Sequence, residues 1–101
     1  MVFSNKAMFF EYVDGSYFRI LVPGDGTLTF DGEFRGTPAR ETVNLLHVRQ
    51  VSPGVQLMVW RESANPCTVV QIQNFNTGHV TSTITTPDLN ISFLEGRIVF
   101  R

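Results

Sequence analysis

The chain has almost no lysine: Lys6 is the only one among 101 residues, and seven arginines lie scattered from Arg19 to Arg101. Phosphate recognition needs clustered cations on one face, so with a net charge of −1 nucleic acid is not an expected partner. Cysteine is as scarce. The single Cys67 excludes an internal disulfide and a thiolate metal centre, and it reads as a small strand residue rather than a nucleophile. His47 and His79 are the only imidazoles and occur in no metal-binding spacing, so neither a metal nor any other cofactor is expected. No stretch approaches the ~18 apolar residues of a membrane-spanning helix. Residues 1–13 lack a secretory pattern, because Lys6 is the only early cation and Glu11 interrupts the apolar run. A cytoplasmic protein is the expectation, and the sequon Asn90-Ile91-Ser92 carries no weight. Helix-favouring alanine occurs three times only.

What is abundant points the other way. Val, Ile, Thr, Tyr, Phe and Trp total 39 residues, against 30 for the strong helix formers, the reverse of a helical domain. Turn signals recur at short intervals: Asp14-Gly15, Pro23-Gly24-Asp25-Gly26, Gly36-Thr37-Pro38, Pro53-Gly54, Asn65-Pro66, Thr77-Gly78 and Pro87-Asp88. Between them lie runs of strand length at about 7–13, 16–22, 27–34, 41–50, 55–62, 67–75, 79–86 and 91–101. Only 37–42 leaves room for a helical turn. Asp14-Gly15 is a hairpin signal, and tight reversals force antiparallel neighbours. About eight such strands leave two exposed edges unless the sheet closes. The predicted architecture is therefore a single all-β domain over 1–101, an up-and-down antiparallel barrel. A two-sheet sandwich is the runner-up, and its crossing connections usually need longer loops.

The second half carries a resemblance. Ser52-Pro53-Gly54-Val55-Gln56-Leu57-Met58-Val59-Trp60-Arg61-Glu62 resembles the Pro-Gly turn, apolar strand and Trp-x-Glu hairpin of the MoaF-like family of calycin-type (lipocalin-like) barrels. Thr68-Val69-Val70-Gln71-Ile72-Gln73-Asn74-Phe75 and Asn76-Thr77-Gly78-His79-Val80 continue it as strand, turn and strand. Glu95-Gly96-Arg97-Ile98 resembles the closing strand, and Tyr12-Val13-Asp14-Gly15-Ser16-Tyr17 fits the opening hairpin. The resemblance implies a small barrel with a central pocket and no settled chemistry. The wider calycin group holds carriers and a few longer enzymes, among them phenolic acid decarboxylases.

Alternation along strands assigns faces. Gln56, Met58, Trp60 and Glu62 share one face of the fifth strand, and Val55, Leu57, Val59 and Arg61 the other. With Trp60 inward, Met58 lines the lumen, Glu62 sits at its rim, and Leu57 and Val59 need a cover, for which a homodimer is expected. Tyr12 lies on one early strand, while Tyr17 and Arg19 share a face of the next. Convergence of Tyr12, Tyr17, Arg19 and Glu62 in the lumen would clamp a carboxylate and move a proton. The candidate ligand-binding set is thus Tyr12, Tyr17, Arg19, Met58, Trp60 and Glu62, with the ligand small and apolar or aromatic. The alternatives are a packed homo-oligomeric module and a cofactor-independent lyase, cyclase or isomerase using the same tyrosines, arginine and glutamate.

Overall fold

Eight antiparallel strands close into one barrel in sequence order. The computed structural model describes residues 7–100. The strands are β1 (Ala7–Tyr12), β2 (Tyr17–Leu21), β3 (Thr27–Phe34), β4 (Thr37–Ser52), β5 (Val55–Glu62), β6 (Cys67–Asn74), β7 (His79–Thr85) and β8 (Ile91–Phe100). Closure is made by β1 against β8, with Phe9 opposite Val99 and Tyr12 opposite Gly96. The sandwich alternative is excluded by this continuous ladder. The N-terminal residues 1–6, with Lys6, and Arg101 of the expected last strand lie outside the described residues. Among the described residues no helix is long and apolar enough to cross a membrane.

The strand boundaries follow the turn chemistry closely, with one correction. Residues 37–42, left open to a helical turn, are the start of β4, which runs 16 residues to Ser52. The reversal before it takes two residues, Arg35 and Gly36, both at positive φ (50° and 86°). Two such residues match the twist of a hairpin, so Pro38 falls inside the ladder opposite Glu33 rather than in the turn. β4 pairs with β3 through residues 37–44 and with β5 through 45–52, bulging between Leu45 and His47.

In an up-and-down barrel alternate connections fall at opposite ends. The turns after β3, β5 and β7 therefore share one end. The interior divides accordingly. Away from those turns Met8, Phe10, Val22, Leu28, Met58 and Val80 are fully buried and fill the barrel. Towards them the walls carry aromatic rings in edge-to-face contact. Tyr12 meets Phe18 at 6.5 Å between centroids, and Phe18 meets Phe30 at 5.7 Å.

Two glycines make those ring positions possible. Gly32 lies opposite Phe18 and Gly96 opposite Tyr12. A Cβ at Gly32 would fall on the carbonyl oxygen of Tyr17, and one at Gly96 on that of Glu11. Backbone approaches backbone at both points, and a barrel this narrow turns its corners there. We expect Gly32→Ala and Gly96→Ala each to lower stability by about 3 kcal/mol in urea denaturation, since backbone must move. Gly15→Ala, in open space at a φ of 91°, should cost only about 1 kcal/mol from conformation alone. Equal losses at all three would contradict this account of the corners.

Candidate functional site

The end of the barrel bearing the turns after β3, β5 and β7 opens into a cavity of about 640 Å3. Its apolar wall includes Phe18, Ile20, Phe30, Trp60, Val69 and Leu94. Its depth is polar. Tyr12, Gln71 and Ser82 all line the cavity and all are buried. The Tyr12 hydroxyl and Ser82 Oγ are 2.8 Å apart, and Gln71 Nε2 donates to both, at 3.3 and 3.1 Å. Gln73 Nε2 donates to Gln71 Oε1 at 2.6 Å and reaches Met58 Sδ at 3.4 Å. The network thus ties the cavity floor to the packed end of the barrel.

A proton count shows what the floor presents. Two hydroxyls share one bond, and either can be its donor. Whichever donates, the other keeps an O–H proton for which the Tyr12–Ser82–Gln71 cluster supplies no acceptor. Gln71 offers the pair only its NH2 group. The floor therefore presents one O–H donor to whatever enters. The Tyr12 phenol keeps its own proton firmly, since burial pushes it up to about 12.

At the mouth, Trp60 Nε1 donates to Glu62 Oε2 at 3.1 Å, two residues along the same face of β5. Cys67 lies directly across from Glu62 in the β5–β6 ladder. Burial holds the Glu62 carboxyl above the usual range, against the bonds from Trp60 and Cys67, and the Glu41 carboxylate adds to the effect. Burial and the neighbouring Glu62 charge push the Cys67 thiol up to about 12. Glu41 also holds the β5–β6 turn, accepting from Ser63 Oγ at 2.8 Å and Ser63 N–H at 3.1 Å. Asp88, on the β7–β8 turn, also lines the mouth, and the Thr86 hydroxyl and the Asn90 amide keep it ionised.

The candidate residues of the sequence separate under this geometry. Tyr12, Trp60 and Glu62 meet around the cavity. Met58 points inward as expected, but it is fully buried in the packed part and does not line the cavity. Tyr17 and Arg19 are corrected: both are exposed on the outer face of β2, and neither lines the cavity. The cause is strand parity. Phe18, Ile20 and Val22 take the inward positions, and Arg19 stands opposite Asp31 and Phe9 on the outer surface. The expected Tyr–Arg–Glu convergence does not form, and no arginine, lysine or histidine lines the cavity among the described residues.

Sequence reasoning missed Gln71 and Ser82, the polar floor. In the sequence alone, Cys67–Ile72 is apolar on both faces, so neither face of β6 stands out as the inner one. The signal that decides is register: a four-residue turn sets Glu62 opposite Cys67, hence Trp60 opposite Val69 and Met58 opposite Gln71. Once Trp60 is inward, the glutamines must be inward too.

Comparison with known proteins agrees with the fold. No curated protein has significant sequence similarity to the chain. Among solved structures it is similar to one described as "a putative beta-lactamase from Burkholderia vietnamiensis", at a TM-score of 0.84 and 20% identity, covering 97% of this chain and 94% of that one. At that identity the likeness is one of fold. The sequence profile of the MoaF-like family matches residues 4–99, nearly the whole barrel, and the chain belongs to that family.

Proposed function

We propose that the barrel binds a small apolar or aromatic molecule in its lumen. The observation that carries this is the cavity: about 640 Å3 of largely apolar space, within the ~300–1,000 Å3 of typical ligand pockets, with a few polar groups converging at its floor. A packed module would have filled this volume with side chains. The floor's O–H donor favours a ligand that carries a hydrogen-bond acceptor at its buried end.

Catalysis is less well supported. With Tyr17 and Arg19 on the outside, the lyase or isomerase set loses its anion clamp. The lactam hydrolysis named for the solved relative would need an activated nucleophile. Ser82 sits between Tyr12 and Gln71, and neither takes a proton at neutral pH. Cys67 is held as the thiol.

A second reading, compatible with the first, concerns the outer surface. Leu57, Val59, Val70 and Ile72 point outward beside Thr81 and Thr83, and Ile72 is 40% exposed. Arg49 and Glu95 edge this patch, opposite Leu57 and Thr81 in the ladders, so a two-fold copy can cover its apolar centre with these opposite charges set against one another. We propose a homodimer through this face.

Three measurements test these readings. Trp60 is the only tryptophan and lines the cavity, so its emission should change as neutral naphthalene or indole derivatives are titrated in. Val69→Phe, which fills the same space, should weaken that binding at least about tenfold. No retained molecule in native mass spectrometry together with no binding from such a panel would sink the lumen reading. For Cys67, alkylation at pH 8 should run ~1,000-fold slower than at a free cysteine, because the thiolate is that much rarer. The rate should climb about tenfold per pH unit and level off only near pH 12, and Glu62→Gln should raise it by removing the adjacent charge; fast alkylation at pH 8 would contradict the thiol assignment. Size-exclusion with light scattering at micromolar concentration should give a dimer that Ile72→Glu converts to monomer, and a strictly monomeric wild type would end the dimer proposal.

A further inference from the structure

The mouth of the cavity holds a carboxylate without a counter-charge. Glu62 lines the cavity and is half-buried. Its partners are the Trp60 indole N–H at 3.1 Å and the Cys67 thiol across the ladder, both neutral. A carboxylate has about four acceptor positions, so at least one stays available towards the lumen. The other charges at this end do not neutralise it. Glu41 adds negative charge from β4 and spends its oxygens on the β5–β6 turn. Asp88 is occupied by Thr86 and Asn90. Arg35, in the β3–β4 turn, stacks on the Phe34 ring and pairs with Asp14 at 3.2 Å. Among the described residues, none that lines the cavity is a cation.

A half-buried carboxylate with carboxylates as its charged neighbours is an unfavourable arrangement on its own account. It is relieved when a cation arrives with the ligand. The rings around it suit the same visitor, since Trp60 and the Phe18–Phe30 pair accept an aromatic or aliphatic body beside the charged end. We propose that the lumen selects cationic ligands: an aromatic or aliphatic amine, its ammonium paired with Glu62 at the mouth and its apolar body in the cavity, with any hydrogen-bond acceptor directed to the Tyr12–Ser82 floor. This rests on the lumen-binding reading above and specifies its ligand class. It also reverses the polarity that an inward Arg19 would have given, since a carboxylate ligand now meets a negative rim.

The test uses three probes with one ring system: 1-naphthylmethylamine, 1-naphthalenemethanol and 1-naphthoate, titrated calorimetrically into the wild-type protein at pH 7. The amine should bind about 10- to 100-fold more tightly than the alcohol, the range expected of a charge-assisted hydrogen bond, and the naphthoate most weakly. Glu62→Gln keeps an acceptor for the Trp60 N–H, and it should bring amine and alcohol to within about twofold. Asp31→Asn, on the outer surface opposite Arg19 and away from the cavity, should leave the preference intact. If amine and alcohol bind wild type equally, or naphthoate binds best, the cationic selection is wrong while lumen binding stands. If none of the three binds, the lumen reading itself fails and this inference with it. The comparison within wild type decides the matter even if the Glu62 variant does not fold.

Discussion

Closure of the sheet is the constraint on which everything else depends. Once β8 pairs with β1, the ladder runs all the way round the barrel, and every residue in a strand is committed to one of two surfaces. The alternation that decides which surface is rigid: one step along the chain changes inside to outside. Arg19 is outside because Phe18 is inside, and the glutamines of β6 are inside because Trp60 is. The functional surface is therefore not chosen residue by residue. It is the inward set as a whole, and polar members of that set are either satisfied by one another or available to a ligand.

The inward set is uneven along the barrel axis, and this makes a pocket. At the packed end, Met8, Phe10, Leu28 and Met58 supply enough volume to fill a narrow barrel. At the other end the inward positions of β7 and β8 include Ser82 opposite Leu94, and the small serine leaves space that the rings of Tyr12, Phe18 and Phe30 border without filling. Between the two ends runs the chain of Gln73, Gln71, Ser82 and Tyr12. Each unsatisfied member of such a network costs about 1–3 kcal/mol, and one atom remains so: Gln73 Oε1 is buried with no partner among the described residues. Side-chain amides inside an apolar barrel are a stability cost, and the gain in return is a fixed orientation of the hydroxyls facing the cavity.

Much of this was legible before any coordinates. The eight strands follow from the Gly, Pro and Asp turn residues, whose φ requirements are local and survive any packing. That Trp60 and Glu62 share a face follows from their two-residue spacing; that this face is the inner one comes from the structure. The failures share one physical origin, which is that a face cannot be chosen from a strand in isolation. The face bearing Tyr17 and Arg19 looked chemically rich, but the alternative Phe18-Ile20-Val22 set is more apolar and took the core. Cys67–Ile72 is apolar on both faces and so leaves Gln71 unassigned; register across the 63–66 turn decides it. Pro38 looked like part of a turn, yet the Arg35-Gly36 pair had already made the reversal. In each case the missing information was pairing between strands, a long-range quantity.

The two ends of the cavity are of opposite hydrogen-bonding sense, and burial produces both. At the floor, burial holds the Tyr12 proton in place, so the hydroxyl pair acts as a standing donor at any physiological pH. At the mouth, the same low-dielectric surroundings act on Glu62, yet the indole N–H and the Cys67 thiol both favour its ionised form, leaving an acceptor site. A donor at depth and an acceptor at the rim, separated by apolar wall, orient a bound molecule along the barrel axis without any catalytic group being required. A site designed for proton transfer would place groups of adjustable protonation state against each other. Here the floor hydroxyls and the rim carboxylate lie at separate ends of the lumen, and the groups pushed up to about 12, Tyr12 and Cys67, are fixed donors. Burial thus gives the lumen a direction, with a donor at depth and an acceptor at the rim, which the proposed ligand binding would use.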